Sequence, residues 1–383
     1  NLNKRIADKG RTWLLTSNDG KNFETARELK ILRMGKMENG FDDVFAPITA
    51  RYFRVETEVD FDLMEMDLSN TQRLENMLAR TSLFQREDAQ IKALKQPDPS
   101  MIIKKEDLLD LSANVDATGK LNAQLPAGKW TIMRFGYTST GATNGPASRE
   151  GTGLEADKMS KASFKIFYEG YVRNVINATK KVAPNALQYI EIDSYEVGGQ
   201  NWTQGYEDYF QEKYGYDLVK FLPLYAGRVI ESAEVSEDVL WDLRKLNSDL
   251  IAENYFGYFN ELCHEDGLIG YAEPYSFNGP FNELDAGGQV DVPMGEFWMH
   301  QRYQTETAVS SARIYGKPII SAEAFSAQPN INWKSHPGYM KLSGDIAWTL
   351  GINEFMFHRY AHQANTNVKP GMTMSQWGSH IDR

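Results

Sequence analysis

The chain has 383 residues, a formal net charge of −11 and 12% aromatic residues. That length holds one large barrel plus part of a second domain, the aromatic content supports a packed core rather than disorder, and the acidic balance argues against nucleic acid as a partner. The single cysteine, Cys263, excludes an internal disulfide and any cysteine-based zinc site.

Residues 1–60 read as β structure: Thr12-Trp-Leu-Leu-Thr, a turn at Ser17-Asn-Asp-Gly20, then strict alternation over Ala50-Arg-Tyr-Phe-Arg-Val-Glu56. This pattern resembles the last strands of a discoidin-like β-sandwich, so part of a β-sandwich accessory domain is expected here, either structural or sugar-binding. Residues 61–129 read as a connector, with a helix near 69–79, a break at Pro97-Asp-Pro99 and a short β segment ending at Pro126-Ala-Gly-Lys129. From Trp130 the pattern changes. Strand-like runs at 130–138, 187–195, 267–275, 292–298, 317–323 and 352–358 alternate with helical stretches at 160–182, 236–263, 302–315 and 338–350. Alternating strand and helix predicts parallel pairing with right-handed crossovers. The fold class is therefore α/β, and the expected architecture over 130–383 is a (β/α)8-type, TIM-like barrel lacking its last strands. No run approaches the ~20 apolar residues of a membrane span. Asn1 follows no initiator Met or signal-peptide pattern and the chain closes on a polar segment, so it reads as a piece of a longer protein. Cys263, within Asn260-Glu-Leu-Cys-His-Glu, reads as a buried, unreactive thiol near a helix end.

Three apolar, strand-like runs end on carboxylates: Tyr189-Ile-Glu-Ile-Asp-Ser-Tyr-Glu196, Leu268-Ile-Gly-Tyr-Ala-Glu273 and Pro318-Ile-Ile-Ser-Ala-Glu323. A parallel strand is apolar because helices cover both faces of its sheet. Acids at its C-terminal end sit at the mouth where α/β barrels place their chemistry. Glu191 and Asp193 share one face of their strand, and Glu196 lies beyond its end in a loop with Gly198, Gly199 and Asn201-Trp202. A carboxylate beside Tyr195 and Trp202 is expected to be partly desolvated, which suits a proton donor at neutral pH. Pro274 stops its strand at once and fixes Glu273 at the mouth. Small neighbours leave room for substrate beside Glu323. Glu296, in Met-Gly-Glu-Phe-Trp298, is placed to orient a sugar hydroxyl. For each acid the structural alternative is an ion pair or a helix cap. Converging carboxylates amid aromatic residues are what glycosidases require, and a neutral sugar suits the charge balance.

His358 and His362 are four apart, a spacing also found in zinc sites. No Glu adjoins the first histidine, however, and 352–358 reads as strand. Hydrogen bonding to sugar hydroxyls or structural polar contacts are the readings for this pair. The loop 138–157 carries Arg149, Glu150, Glu155 and Asp157, and reads as an oxygen-rich mouth loop that is either solvated or a calcium holder. Its glycines match neither the dinucleotide fingerprint nor the phosphate-binding loop, so no nucleotide or redox cofactor is expected. The Gly-x-Ser-x-Gly elbow of the α/β-hydrolases is absent.

Gly-Tyr-Thr-Ser-Thr-Gly from Gly136, Gly-Leu-Glu-Ala-Asp-Lys from Gly153, Asp193-Ser-Tyr-Glu196 with Asn201-Trp-Thr, and Val292-Pro-Met-Gly-Glu-Phe-Trp298 occur in order. Ala322-Glu-Ala-Phe325, His358-x-Tyr-Ala-His-Gln363, Lys369-Pro-Gly-Met-Thr and Trp377-Gly378 follow. This series resembles glycoside hydrolase family 106, the α-L-rhamnosidases, over about residues 130–383. The resemblance implies an inverting hydrolysis of terminal α-L-rhamnose from plant or bacterial oligosaccharides and polysaccharides, calcium near the sugar, and a periplasmic or secreted setting. It implies Glu196 as general acid and Glu323 as general base, with Glu273 and Glu296 as further candidates for the base or for sugar contacts. Asp193, Trp202, Trp298, His358 and His362 are the remaining expected substrate contacts. Two other readings stand beside it: a retaining β-glycosidase with Glu273 or Glu323 as nucleophile, and a non-catalytic carbohydrate-binding barrel.

Overall fold

The computed structural model describes residues 11–29, 45–58, 66–71, 73–74, 77–83, 97–145, 147–275, 279–300, 302–331, 333–361, 363–369, 371–373 and 377–380. In chain order its strands are β1 (Thr12–Ser17), β2 (Glu24–Leu29), β3 (Tyr52–Thr57), β4 (Ile102–Ile103), β5 (Tyr189–Ile192), β6 (Val229–Ile230), β7 (Ile269–Ala272), β8 (Val292–Trp298), β9 (Arg302–Gln304), β10 (Ser321–Ser326) and β11 (Met356–Phe357). Two compact units share the chain and interleave in sequence: Asn1–Glu155 with Val197–Leu246, and Ala156–Glu196 with Asn247–Arg383.

In the first unit β2, β1 and β3 form an antiparallel sheet with β1 in the centre. The turn expected at Ser17–Gly20 is present, and its chemistry explains it. Ser17 Oγ accepts from Gly20 N–H at 2.9 Å, Asp19 Oδ1 accepts from Lys21 and Asn22 N–H at 2.8 Å, and Gly20 takes the left-handed φ of +74°. A four-residue helix, Met77–Arg80, lies at the end of the predicted helix. Arg80, 2% exposed, pairs with Glu237, which also binds Arg244 at 2.8 Å. The short strands β4 and β6 pair in parallel. Residues 130–138, read from sequence as a strand, run as irregular chain. Ile132 and Tyr137 are each 62% exposed there, and no ladder partner lies beside them among the described residues. Alternation makes a strand only where a neighbour supplies the hydrogen bonds.

The second unit is mixed α/β, with a curled parallel sheet of half-barrel form in the order β5-β7-β8-β10-β11, and β9 turning back antiparallel on β8. Helices Glu283–Gln289, Glu306–Tyr315 and Pro337–Leu350 connect successive parallel strands from β7 to β11. The strands fall within or overlap the apolar runs that predicted them, and Arg302–Gln304 is strand where the sequence read helix. The sheet's apolar composition follows from its position. β8 and β10 are buried along nearly their whole length, and Ala322, Ala324, Phe297 and Phe325 pack with Ala308, Ala312, Met340 and Ala347 of the covering helices. Ser343 and Gly344 on the inner face of Pro337–Leu350 let that helix approach closely. Among the described residues the sheet runs as an open path from β5 to β11.

One contact fixes the β8–β9 corner. A Cβ on Gly295 would stand 2.7 Å from Gln304 O and 3.0 Å from Thr305 Cα, both of them backbone atoms. Gly295→Ala must therefore push the hairpin away, and is expected to cost roughly 1–3 kcal/mol by overpacking. A denaturant midpoint equal to that of the unsubstituted protein would contradict this.

Candidate active site

Sheet register determines which acids meet. Ile192 pairs with Ala272, and Glu273 N–H donates to Ile192 O at 2.8 Å. Asp193 and Glu273 therefore leave adjacent strand ends side by side. Two strands further on, Glu296 and Glu323 are direct register partners of β8 and β10. The outcome is a cluster in which one carboxylate oxygen from each of Asp193, Glu273 and Glu323 lies within 4.8 Å of the other two. Glu191, two residues before Asp193 on β5, points to the same side. All of these acids belong to the second unit.

The acids have different partners. Glu296 is clamped, with Trp298 Nε1–H donating to Oε1 and the Tyr275 hydroxyl to Oε2. Trp298 in turn meets Trp377 edge-on at 5.7 Å. Glu323 Oε1 accepts from Ser326 Oγ at 2.6 Å and lies 3.3 Å from His358 Nδ1. Glu273 is fully buried, and its Oε1 has no hydrogen-bond partner. Asp193 is exposed and accepts from Ser194 N–H at 2.7 Å.

The expected roles of two residues meet a different environment. Glu196 is exposed, with Ser194 Oγ at 3.4 Å from its Oε1, because it lies past the strand where the chain turns outward. Trp202 belongs to the first unit, where it packs on Tyr206 at 4.7 Å and Tyr225 at 5.8 Å. Its Nε1 is buried without a partner. His362 lies outside the described residues. Sequence reasoning did not single out Tyr275, Ser326 or Arg359. Tyr275 had a signal, the Pro274 that stops β7 and turns the chain back toward Glu296. Ser326 had none.

A family described as alpha-L-rhamnosidase, glycoside hydrolase family 106, matches residues 15–383. The chain belongs to this family. A protein of Formosa agariphila, provisionally named a beta-glucuronidase, is 39% identical over 285 residues, covering 74% of this chain and 24% of its own length. The structure of a rhamnosidase from Novosphingobium sp. PP1Y superposes with a TM-score of 0.77 at 23% identity, over 97% of this chain and 36% of its own. That likeness establishes the fold. The chain thus spans well under half the length of either protein.

Within this family member, burial and mutual repulsion govern the acids. Burial first, then Glu323, Glu296, Asp193 and Glu191, push the Glu273 carboxyl well above the usual carboxylate range. Burial raises Glu323 to about 8, Ser326 opposes it, and Glu296, Asp193 and Glu191 add to the rise. Burial and then Asp193 raise Glu191 to about 7. Burial and Arg359 lower His358 to about 4, so its imidazole is neutral at pH 7. Hard oxygen donors within 4.8 Å of one another match the span of ligands held at about 2.3–2.6 Å around one calcium ion. The orphaned oxygen of Glu273 provides a donor that nothing else occupies. Among the described residues this cluster, not the loop 138–157, has metal-ligand spacing.

The raised carboxyls make stability depend on pH. Glu191 and Glu323 titrate near 7 and 8 in the fold, against an ordinary 4.5. Across that window the folded chain keeps protons that the unfolded chain has released, so stability falls as pH rises and levels off above it. In chelator-treated protein the melting temperature is expected to decline between pH 5 and 8. Glu191→Gln should flatten the decline and stabilise at pH 8 by on the order of 1–3 kcal/mol. A melting temperature that holds constant across this range rules the account out.

Proposed function

We propose that this chain is the catalytic portion of an exo-acting α-L-rhamnosidase that removes terminal rhamnose from oligosaccharides or polysaccharides with inversion. The observation that carries the reading is the convergence of Glu191, Asp193, Glu273, Glu296 and Glu323 at neighbouring parallel strands of a rhamnosidase-family fold. Glu196 protonates the departing glycosidic oxygen. Glu196 lies beyond β5, and the desolvation that a proton donor needs would come from the bound substrate rather than from Trp202. Glu323 takes a proton from water on the opposite sugar face, and inversion needs the two carboxyls roughly 6.5–9.5 Å apart to admit that water. Glu273, Glu296, Asp193 and Trp298 hold the sugar, with His362 its remaining expected contact. Catalysis belongs to the second unit, within the expected 130–383. The closed (β/α)8 barrel and a β-sandwich around β1–β3 are the full-length architecture that this reading implies.

The charge of the site discriminates between substrates. A cluster of carboxylates repels the anionic carboxylate of a glucuronide and tolerates a neutral deoxy sugar. Full-length protein is expected to hydrolyse p-nitrophenyl α-L-rhamnoside at least ~100-fold faster than the β-D-glucuronide, by kcat/KM. Glu196→Gln should lose about 10²–10⁴-fold on an alkyl rhamnoside and far less on the p-nitrophenyl substrate, whose leaving group needs no proton. Glu323→Gln should lose comparably on both. Near-normal turnover of the alkyl rhamnoside by Glu196→Gln would refute the acid assignment.

One observation favours a second reading. Oxygens of Glu273 and Glu323 lie within 4.8 Å of each other, nearer the ~5–5.5 Å separation of retaining enzymes. Either residue would then be the nucleophile, and proton NMR of the first-formed anomer separates the two courses.

Calcium is the cofactor we propose, held by Asp193 and Glu273 beside Glu323, which stays free to act as the base. Bound there, it would supply the positive charge that lets these acids stay ionised together. Calcium at 100 times its Kd is expected to stabilise the protein by about 2.7 kcal/mol, and Glu273→Gln should abolish the shift. Identical thermal unfolding with calcium and with chelator would exclude the site.

A further inference from the structure

The pairing of β10 with β8 contains an irregularity. Glu323 pairs with Glu296, and Ser326 pairs with Trp298, so three residues on β10 span two on β8. This is a β-bulge. Phe325 within it takes a φ of +65°, a left-handed conformation that side chains other than glycine rarely adopt. Its ring is wedged among Phe297 at 4.9 Å, Phe357 at 5.1 Å and Phe355 at 5.2 Å, which holds the backbone there. In a regular strand, residues three apart point to opposite faces. The extra residue brings Ser326 back to the side of Glu323.

The bonds around Ser326 have a direction. Arg359 Nη1 lies 3.4 Å from His358 Nε2, and a guanidinium only donates, so Nε2 accepts and the ring proton is assigned to Nδ1. His358 Nδ1–H then donates to Ser326 Oγ at 2.8 Å, and Ser326 O–H donates to Glu323 Oε1 at 2.6 Å. Ser326 is completely buried, so water cannot substitute for it.

We propose that Ser326, delivered by the bulge at Phe325, is a positioning residue that works with His358 to orient Glu323, occupying Oε1 and leaving Oε2 to take the proton from water. The inference rests on the base role of Glu323 proposed above. Ser326 does not touch substrate; it sets which oxygen of Glu323 reacts and in which direction that oxygen points. Its loss therefore acts on kcat more than on KM. Its effect also depends on His358, because the histidine reaches the carboxylate mainly through the serine hydroxyl.

The test is a double-mutant cycle in the full-length protein on p-nitrophenyl α-L-rhamnoside, with S326A, H358Q and the double variant. Each single variant is expected to lower kcat by roughly 10–100-fold, the scale of a misplaced catalytic group, with KM within about threefold of the parent. The double variant should lose no more than the worse single one. Multiplicative losses, losses confined to KM, or an S326A variant as fast as the parent each overturn the inference. A parent protein inactive on rhamnosides overturns the proposed function itself, and this inference with it. Circular-dichroism melts of the three variants check that each stays folded at the assay temperature, so that a lost rate is not general unfolding.

Discussion

Like charges held together by sheet register are the constraint from which the rest of the site follows. Two unit charges 4.8 Å apart repel by about 3–4 kcal/mol at an effective dielectric of 20. That is worth more than two pH units for each pair. Backbone hydrogen bonds between β5, β7, β8 and β10 prevent the acids from separating, so they must take up protons, find donors or hold a cation. The first two courses are visible. Glu273 and Glu323 are shifted toward the protonated form, and Glu296 receives two donors. Asp193 reaches solvent.

Residues of one type thus differ in function because of their surroundings. Glu296 has both oxygens engaged and is held as an acceptor, which leaves little freedom for proton transfer. Glu273 has an orphaned oxygen in a dry environment and is the most strained in charge. Glu323 stands between these extremes, with one oxygen engaged and one free. That asymmetry, rather than its place in the sheet, is what supports the base role proposed for it.

Much of this was legible in the sequence. Apolar runs at 187–195, 267–275, 292–298 and 317–323 became parallel strands, because burial on both faces leaves that signature. Asp193, Glu273 and Glu323 come together near three of those strand ends, whereas Glu196, on which the first run was read to end, is not in that cluster. What could not be read has specific causes. Counting by twos along β10 puts Ser326 on the face opposite Glu323, and only a bulge with a left-handed Phe325 reverses this. Trp202 is six residues from Glu196, but the chain passes from one compact unit to the other at Val197, so nearness in sequence did not mean a shared environment. The strand pattern of 130–138 lacks, among the described residues, the partner that a ladder requires.

That crossing has a further meaning. The chain leaves the second unit directly after Glu196 and does not rejoin it until Asn247. Evolution can lengthen, shorten or replace this excursion without disturbing a single β-ladder of the second unit. Relatives could therefore diverge across residues 197–246 while keeping one unchanged set of interior carboxylates.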